Sequence, residues 1–96
     1  MMLHVLTKTD SLQALRNQEL PVNVEKDVLL LTQDCVYAAI SDHKDHLLIL
    51  PFKQCYILQE DVEARGVKLL IDNKIQLVSY DLFVTLTQVN SPIVTW

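Results

Sequence analysis

The stretch Val28-Leu29-Leu30-Leu31-Thr32 constrains the fold more than any other. Successive side chains of a strand point to opposite faces of its sheet. Four apolar residues in a row therefore need cover on both sides. A strand with one wet face alternates apolar and polar residues, whereas a parallel strand between helices does not. The run predicts a parallel strand buried in the middle of a sheet, and the rest of the chain fits that frame. Residues 2–7 are β-prone, residues 52–58 form a third strand, residues 75–79 a fourth, and residues 92–96 an extended end.

Helical spacing lies between these strands. In residues 10–19, Leu12, Leu15 and Leu20 share one side, opposite Arg16, Asn17 and Glu19. Asp10 or Ser11 is expected to cap that helix, and Pro21 to stop it. Asp34 is expected to cap a helix running through Ile40. A helix over 59–65 has Glu60 and Asp61 at its positive end and Arg65 at its negative end, with Gly66 as a left-handed exit. A last helix covers 81–89. Residues 41–51 are open between helix and strand, and Asp42-His43-Lys44-Asp45-His46 reads as a solvated turn. Strands alternating with short helices predict an α/β fold with a mainly parallel sheet and helices on both faces. The functional crevice of such sheets lies beyond the carboxyl ends of the strands. Lys8, Asp34, Cys35, Gln59, Glu60 and Tyr80 are expected along that rim.

The 96 residues suffice for one domain, 1–96. Half of them are apolar, and a chain this short cannot bury so much alone, so part is expected to face a partner subunit. A net charge of −4 argues against direct nucleic-acid binding, which needs a basic face. No apolar run approaches the roughly 18 residues of a membrane span. His4, Lys8 and Asp10 arrive too early for a signal peptide. Two cysteines outside any C-x-x-C pattern give neither a disulfide framework nor zinc spacing. A cytoplasmic protein with reduced thiols, no cofactor and no membrane contact is expected.

The chemistry-bearing residues each have a plainer alternative. Gly66 is the single glycine, so the glycine-rich phosphate loops of nucleotide sites are excluded. His43 and His46, with Asp42 and Asp45, have ligand types at i, i+3, but on a turn without a fixed scaffold. His4 sits among Leu3, Val5 and Leu6 and reads as a hydrogen-bonded structural histidine. Asp34 at a strand end is placed like a phosphoacceptor, but Thr7-Lys8-Thr9 offers no acidic pair to hold magnesium. Glu60, Asp61 and Glu63 beside Arg65 read as a solvated helix face rather than acid–base carboxylates. Cys55 reads as a small hydrophobe in a strand. Cys35 stands apart. A helix start favours its thiolate and Asp34 opposes it, so position alone leaves its reactivity open.

Several segments in order along the chain resemble the TusB/DsrH family. They are Met2-Leu3-His4; Leu29-Leu30-Leu31-Thr32-Gln33-Asp34 with Val36 and Ala38-Ala39; Tyr56, Leu58, Glu60-Asp61 and Ala64-Arg65-Gly66; Tyr80, Phe83-Val84 and Leu86-Thr87; and Trp96. The resemblance implies a DsrEFH-like three-layer α/β/α sandwich with a five-stranded, mainly parallel sheet. It also implies a non-catalytic subunit of a heterohexameric sulfur relay with TusC-like and TusD-like subunits. That relay supplies TusE and the tRNA thiouridylase that 2-thiolates the wobble uridine. Homo-oligomers of the isolated chain are left open. In this family glycine commonly stands where Cys35 is, an aspartate where Ser79 is and a histidine where Asn90 is. Neither Cys35 nor Cys55 matches the carrier position of sulfur-bearing relatives. The alternatives are a sulfurtransferase carrying persulfide on Cys35, and a DsrH-like subunit in dissimilatory sulfur oxidation. Two local expectations follow. Cys35 should be partly shielded with modest reactivity, and Trp96 should pack against its own sheet edge or a neighbouring subunit.

Overall fold

A computed structural model describes residues 2–96. The strands β1 (Leu3–Leu6), β2 (Val28–Leu31), β3 (Gln54–Leu58), β4 (Gln76–Val78) and β5 (Ile93–Thr95) form one sheet in the order β4-β3-β2-β1-β5. Every pairing is parallel, so the sheet is wholly rather than mainly so. The leucine run is its centre, with Leu3 opposite Val28 and Val28 opposite Gln54.

The helices are α1 (Thr9–Arg16), α2 (His46–Ile49), α3 (Gln59–Ala64) and α4 (Tyr80–Val89). The chain steps from β1 to β4 in one direction and then returns across the sheet to β5. Right-handed crossovers put helices of one direction on one face and those of the other on the opposite face. The cores agree. Leu6, Leu29, Leu31 and Ile57 pack with Leu12, Leu15, Val36, Ile49 and Val62 on one side. On the other side Leu3, Val5, Val28, Leu30 and Val78 meet only Phe83 and Leu86 of α4, with Tyr56 beside them.

Local chemistry shifts several boundaries. Neither Asp10 nor Ser11 caps α1. Lys8 is the cap residue, without a side-chain bond, because Ser11 is drawn into the core and its N–H donates to the Lys8 carbonyl (2.9 Å). The helix stops at Arg16, short of Glu19, where Gln18 takes a left-handed φ of 59°. Residues 33–39 form a 3₁₀ turn, and Asp34 does not cap it. At the end of α3 the Gly66 N–H donates to the Glu63 carbonyl and the Val67 N–H to that of Val62, a glycine exit with φ 66° as expected.

The 42–46 segment is a turn as expected, with Asp42 and Lys44 in solvent, but its end is not solvated. Asp45 and His46 are 3% and 5% exposed, because Arg16 pairs with Asp45 and the His46 ring finds acceptors inside. Leu47 and Leu48 belong to α2. Trp96 is tied to its own sheet edge. Its N–H donates to the Val5 carbonyl (2.8 Å), and its indole N–H donates to His4 Nδ1 (3.1 Å) with the rings stacked. Among the described residues no helix is long and apolar enough to cross a membrane.

Candidate functional site

The carboxyl ends of β1 to β4 bring the expected rim together, but its carboxylates are bound to neighbouring loops and to Arg65. Asp61 of α3 reaches across to the turn after β2, where its Oδ2 accepts the Gln33 N–H (2.6 Å). That bond holds Gln33 at a left-handed φ of 51°. Arg65 donates through Nε (3.1 Å) and Nη2 (2.9 Å) to Asp34 Oδ1, and through Nη1 (3.2 Å) to the Asp61 carbonyl. Glu60 Oε2 accepts the Tyr80 N–H (3.1 Å) at the start of α4, where Ser79 Oγ also accepts the Leu82 N–H. Gln59 donates to Glu63 within its own helix (2.7 Å). The carboxylates of α3 thus clasp the neighbouring loops rather than complete only their own helix dipole.

Cys35 lies beneath this rim. Its side chain is 0% exposed, so it is fully rather than partly shielded. Its Sγ–H donates to the Lys8 carbonyl (3.0 Å), which joins the turn after β2 to the start of α1. Burial above all, then the charges of Asp34 and Asp45, pushes its pKa up to about 12. The sequence balance weighed helix start against Asp34 and omitted desolvation, the largest contribution. A thiol so placed stays protonated, and the protonated form is the poor nucleophile. Burial likewise pushes Cys55 up to about 12.

The histidines do not share a site. His43 Nδ1 accepts the Asp45 N–H (3.1 Å), whereas His46 faces the Ala38 carbonyl and Asp72. His4 is buried in β1 with Nε2 2.9 Å from Asp27 Oδ2, as a structural histidine requires. Burial pushes the Asp27 carboxyl up, but bonds from His4, the Asn23 N–H and the Met2 N–H outweigh it and hold the pKa below 3.8. Asp27 and Asp72 were missed in the sequence. A signal existed for Asp27, which directly precedes β2 and so sits beside the start of β1 in a parallel pair. None existed for Asp72, 26 residues from His46.

Beside the rim, on the α4 side, a cleft of about 390 Å³ is lined by Val5, Thr7, Thr32, Leu58, Phe83 and Thr95. The Thr7 hydroxyl donates to the Trp96 carbonyl (2.7 Å) and that of Thr32 to the Leu6 carbonyl (2.9 Å). Gln33 and Asp61 line the cleft as well, so it combines apolar surface with a carboxylate and an amide, while the Thr7 and Thr32 hydroxyls are engaged by backbone.

Residues 10–92 match the family model described as DsrH like protein. The chain belongs to the DsrH-like family. Its relatives include Protein TusB of Serratia proteamaculans, 40% identical over 72 residues, which cover 73% of this chain and 75% of that one. Protein TusB of Escherichia coli K12 is 40% identical over 74 residues, covering 75% and 77%. That of Buchnera aphidicola is 33% identical over 99% of this chain and all of its own. The crystal structure of the ychN protein from E. coli superimposes with a TM-score of 0.71 over 99% of this chain and 97% of that one. At 16% identity that likeness shows the fold this DsrH-like chain adopts, and nothing of its chemistry.

Proposed function

We propose that this chain is a non-catalytic subunit of a sulfur relay complex supporting 2-thiolation of the tRNA wobble uridine, assembled with TusC-like and TusD-like subunits. Kinship with TusB proteins supports the pathway. The observation that carries the non-catalytic role is Cys35, buried, held by the Lys8 carbonyl and pushed up to about 12. Sulfur transfer through a cysteine needs a thiolate with an open approach. The rim carboxylates Asp34, Glu60 and Asp61 are likewise spent on backbone N–H groups and an ion pair rather than held free beside the thiol. Exposed apolar side chains support a role as a subunit. Leu82, Val89 and Ile93 are 48%, 71% and 45% exposed on the side of the sheet that only α4 covers.

The test is complementation in a strain that depends on this protein. Cys35→Ser is expected to leave wobble-uridine thiolation near the wild-type level. The chain should co-purify with TusC-like and TusD-like proteins through an interface above about 1,200 Å². Loss of thiolation by an assembled Cys35→Ser complex would assign the carrier role to Cys35. A chain that stays monomeric beside both partners would overturn the subunit reading.

A further inference from the structure

The His46 ring lies between two oxygen acceptors. Nδ1 is 2.9 Å from the Ala38 carbonyl and Nε2 is 2.9 Å from Asp72 Oδ2. A carbonyl and an ionised carboxylate can only accept. A neutral imidazole has one N–H, so it satisfies one contact and turns a lone pair towards the other. The imidazolium satisfies both. His4 is the informative contrast, because its Nδ1 accepts the Trp96 indole N–H while Nε2 faces Asp27, and the neutral ring satisfies that pair. The two buried histidines thus differ in what their ring nitrogens face, two acceptors for His46 and one donor with one acceptor for His4.

The Asp72 carboxyl is held below 3.8, first by the Lys74 N–H and also by the His46 ring, against an opposing effect of burial. Asp72 is also where two segments meet. Its N–H donates to the Ala39 carbonyl (2.9 Å), and one isolated antiparallel bridge joins Ile40 to Ile71. Among the described residues no longer ladder fastens the segment before β4 to the turn after β2.

We propose that His46 and Asp72 form a proton-operated clasp, which fastens the segment before β4 to the Gln33–Ala39 turn while the ring is a double donor and loosens when it loses its second proton. The groups around it are few. Its own loop carries Asp42, His43, Lys44 and Asp45, the last paired with Arg16 of α1. The facing segment carries Lys68, Asp72 and Lys74, and the charge of the turn, Asp34, is turned to Arg65. The fastening is complete while both ring nitrogens donate and is weaker once either proton is lost. On further acidification it lasts until Asp72 protonates, below 3.8. The joined segments carry Leu47, Leu69 and Leu70, which are 76%, 98% and 58% exposed, so the clasp fixes how these apolar side chains are presented.

The test is nuclear magnetic resonance on the ¹⁵N-labelled full chain between about pH 5 and 9, the range in which histidines titrate. The nitrogen shifts of His46 read which ring nitrogens carry a proton, and the clasp requires that both do at the acid end. Protection of the Asp72 amide from hydrogen exchange, corrected for intrinsic rate, should fall at least about tenfold as His46 titrates, the scale of one charge-assisted bond. The Thr32 amide, bonded to the Leu6 carbonyl, should not respond. Asp72→Asn offers an amide donor to Nε2, so a neutral ring then satisfies both contacts and the pH step should vanish. His46→Gln should also abolish the step, and either folded variant suffices. A neutral His46 at acid pH, or an Asp72 amide equally protected on both sides of the titration, overturns the clasp.

Discussion

The two faces of the sheet share the same strands, yet they are covered unequally. On one side α1, the Gln33–Ala39 turn, α2 and α3 pack against the sheet, and 15 buried apolar residues form one cluster. On the other side, among the described residues, five do under α4, which packs Phe83 and Leu86 there but buries neither fully. Composition does not cause this difference, because Leu30 and Leu31 are equally buried neighbours facing opposite ways. Strand order causes it. Three forward steps place their crossovers on one face, and the single return places one helix on the other. The crowded face is a finished core. The thin face leaves Leu82, Val84 and Val89 in solvent, where a second chain would bury apolar area.

The sharpest way to break that comparison uses the adjacent leucines. Leu31→Ala opens a cavity among elements fixed on several sides and should cost about 2–5 kcal/mol. Leu30→Ala should fall at the low end of that range, because a single helix can settle into the space. Urea unfolding of both variants measures the difference. Equal losses would mean that the two faces are equally well packed. The next largest effect should appear in association. Leu82→Ser with Val89→Ser is expected to change the stability of the isolated chain by less than about 0.5 kcal/mol per site. Binding to the proposed partners should weaken by about 2 kcal/mol if these residues lie at an interface centre. Titration calorimetry reads it, and unchanged affinity would move the interface away from α4.

The same inequality explains what was legible in the sequence. The strands were readable because Val28–Leu31 requires two-sided cover, and the α/β alternation followed. The unequal faces were not, because they depend on where β5 inserts, which no local pattern encodes. The rim was located correctly, since strand ends are local features. Its bonding was not. Asp61 to Gln33 and Arg65 to Asp34 join residues 28 and 31 positions apart, and isolated carboxylates read as solvated. The burial of Asp45 and His46 was hidden for the same reason, with partners in α1 and before β4. Cys35 was placed correctly at the end of β2, but its desolvation depends on the crowded face closing over it.

Cys35 gives that face a pH signature. Its pKa rises from 9.0 to about 12 on folding, so the fold favours the neutral thiol. The stability this confers is fully present below 9.0 and is lost as pH rises from there towards about 12. The loss should approach about 1.4 kcal/mol per pH unit above that onset. Cys35→Ala removes this contribution and keeps that of Cys55. Urea midpoints at about pH 8 and pH 10, either side of the ordinary thiol range, should therefore fall less in the variant than in the parent chain. Equal falls would mean that the buried thiol is not desolvated.

The smallest effect tests the link between the faces. Glu60 starts α3 on the crowded side, and its Oε2 accepts the Tyr80 N–H that starts α4 on the thin side. Glu60→Ala removes that acceptor and leaves Ser79 Oγ, 3.4 Å from the Leu82 nitrogen, as the remaining side-chain cap. Because both groups are exposed, the cost should be at most about 1 kcal/mol, the size of one helix cap. Its distribution is more telling than its size. Hydrogen exchange should quicken at the first-turn amides of α4 and stay unchanged in α3, whose packing through Val62 is independent of Glu60. Glu60→Gln keeps a neutral acceptor and should recover most of the protection. If exchange quickens equally in α3 and α4, the two faces respond as one unit, and the thin face is not the weaker layer.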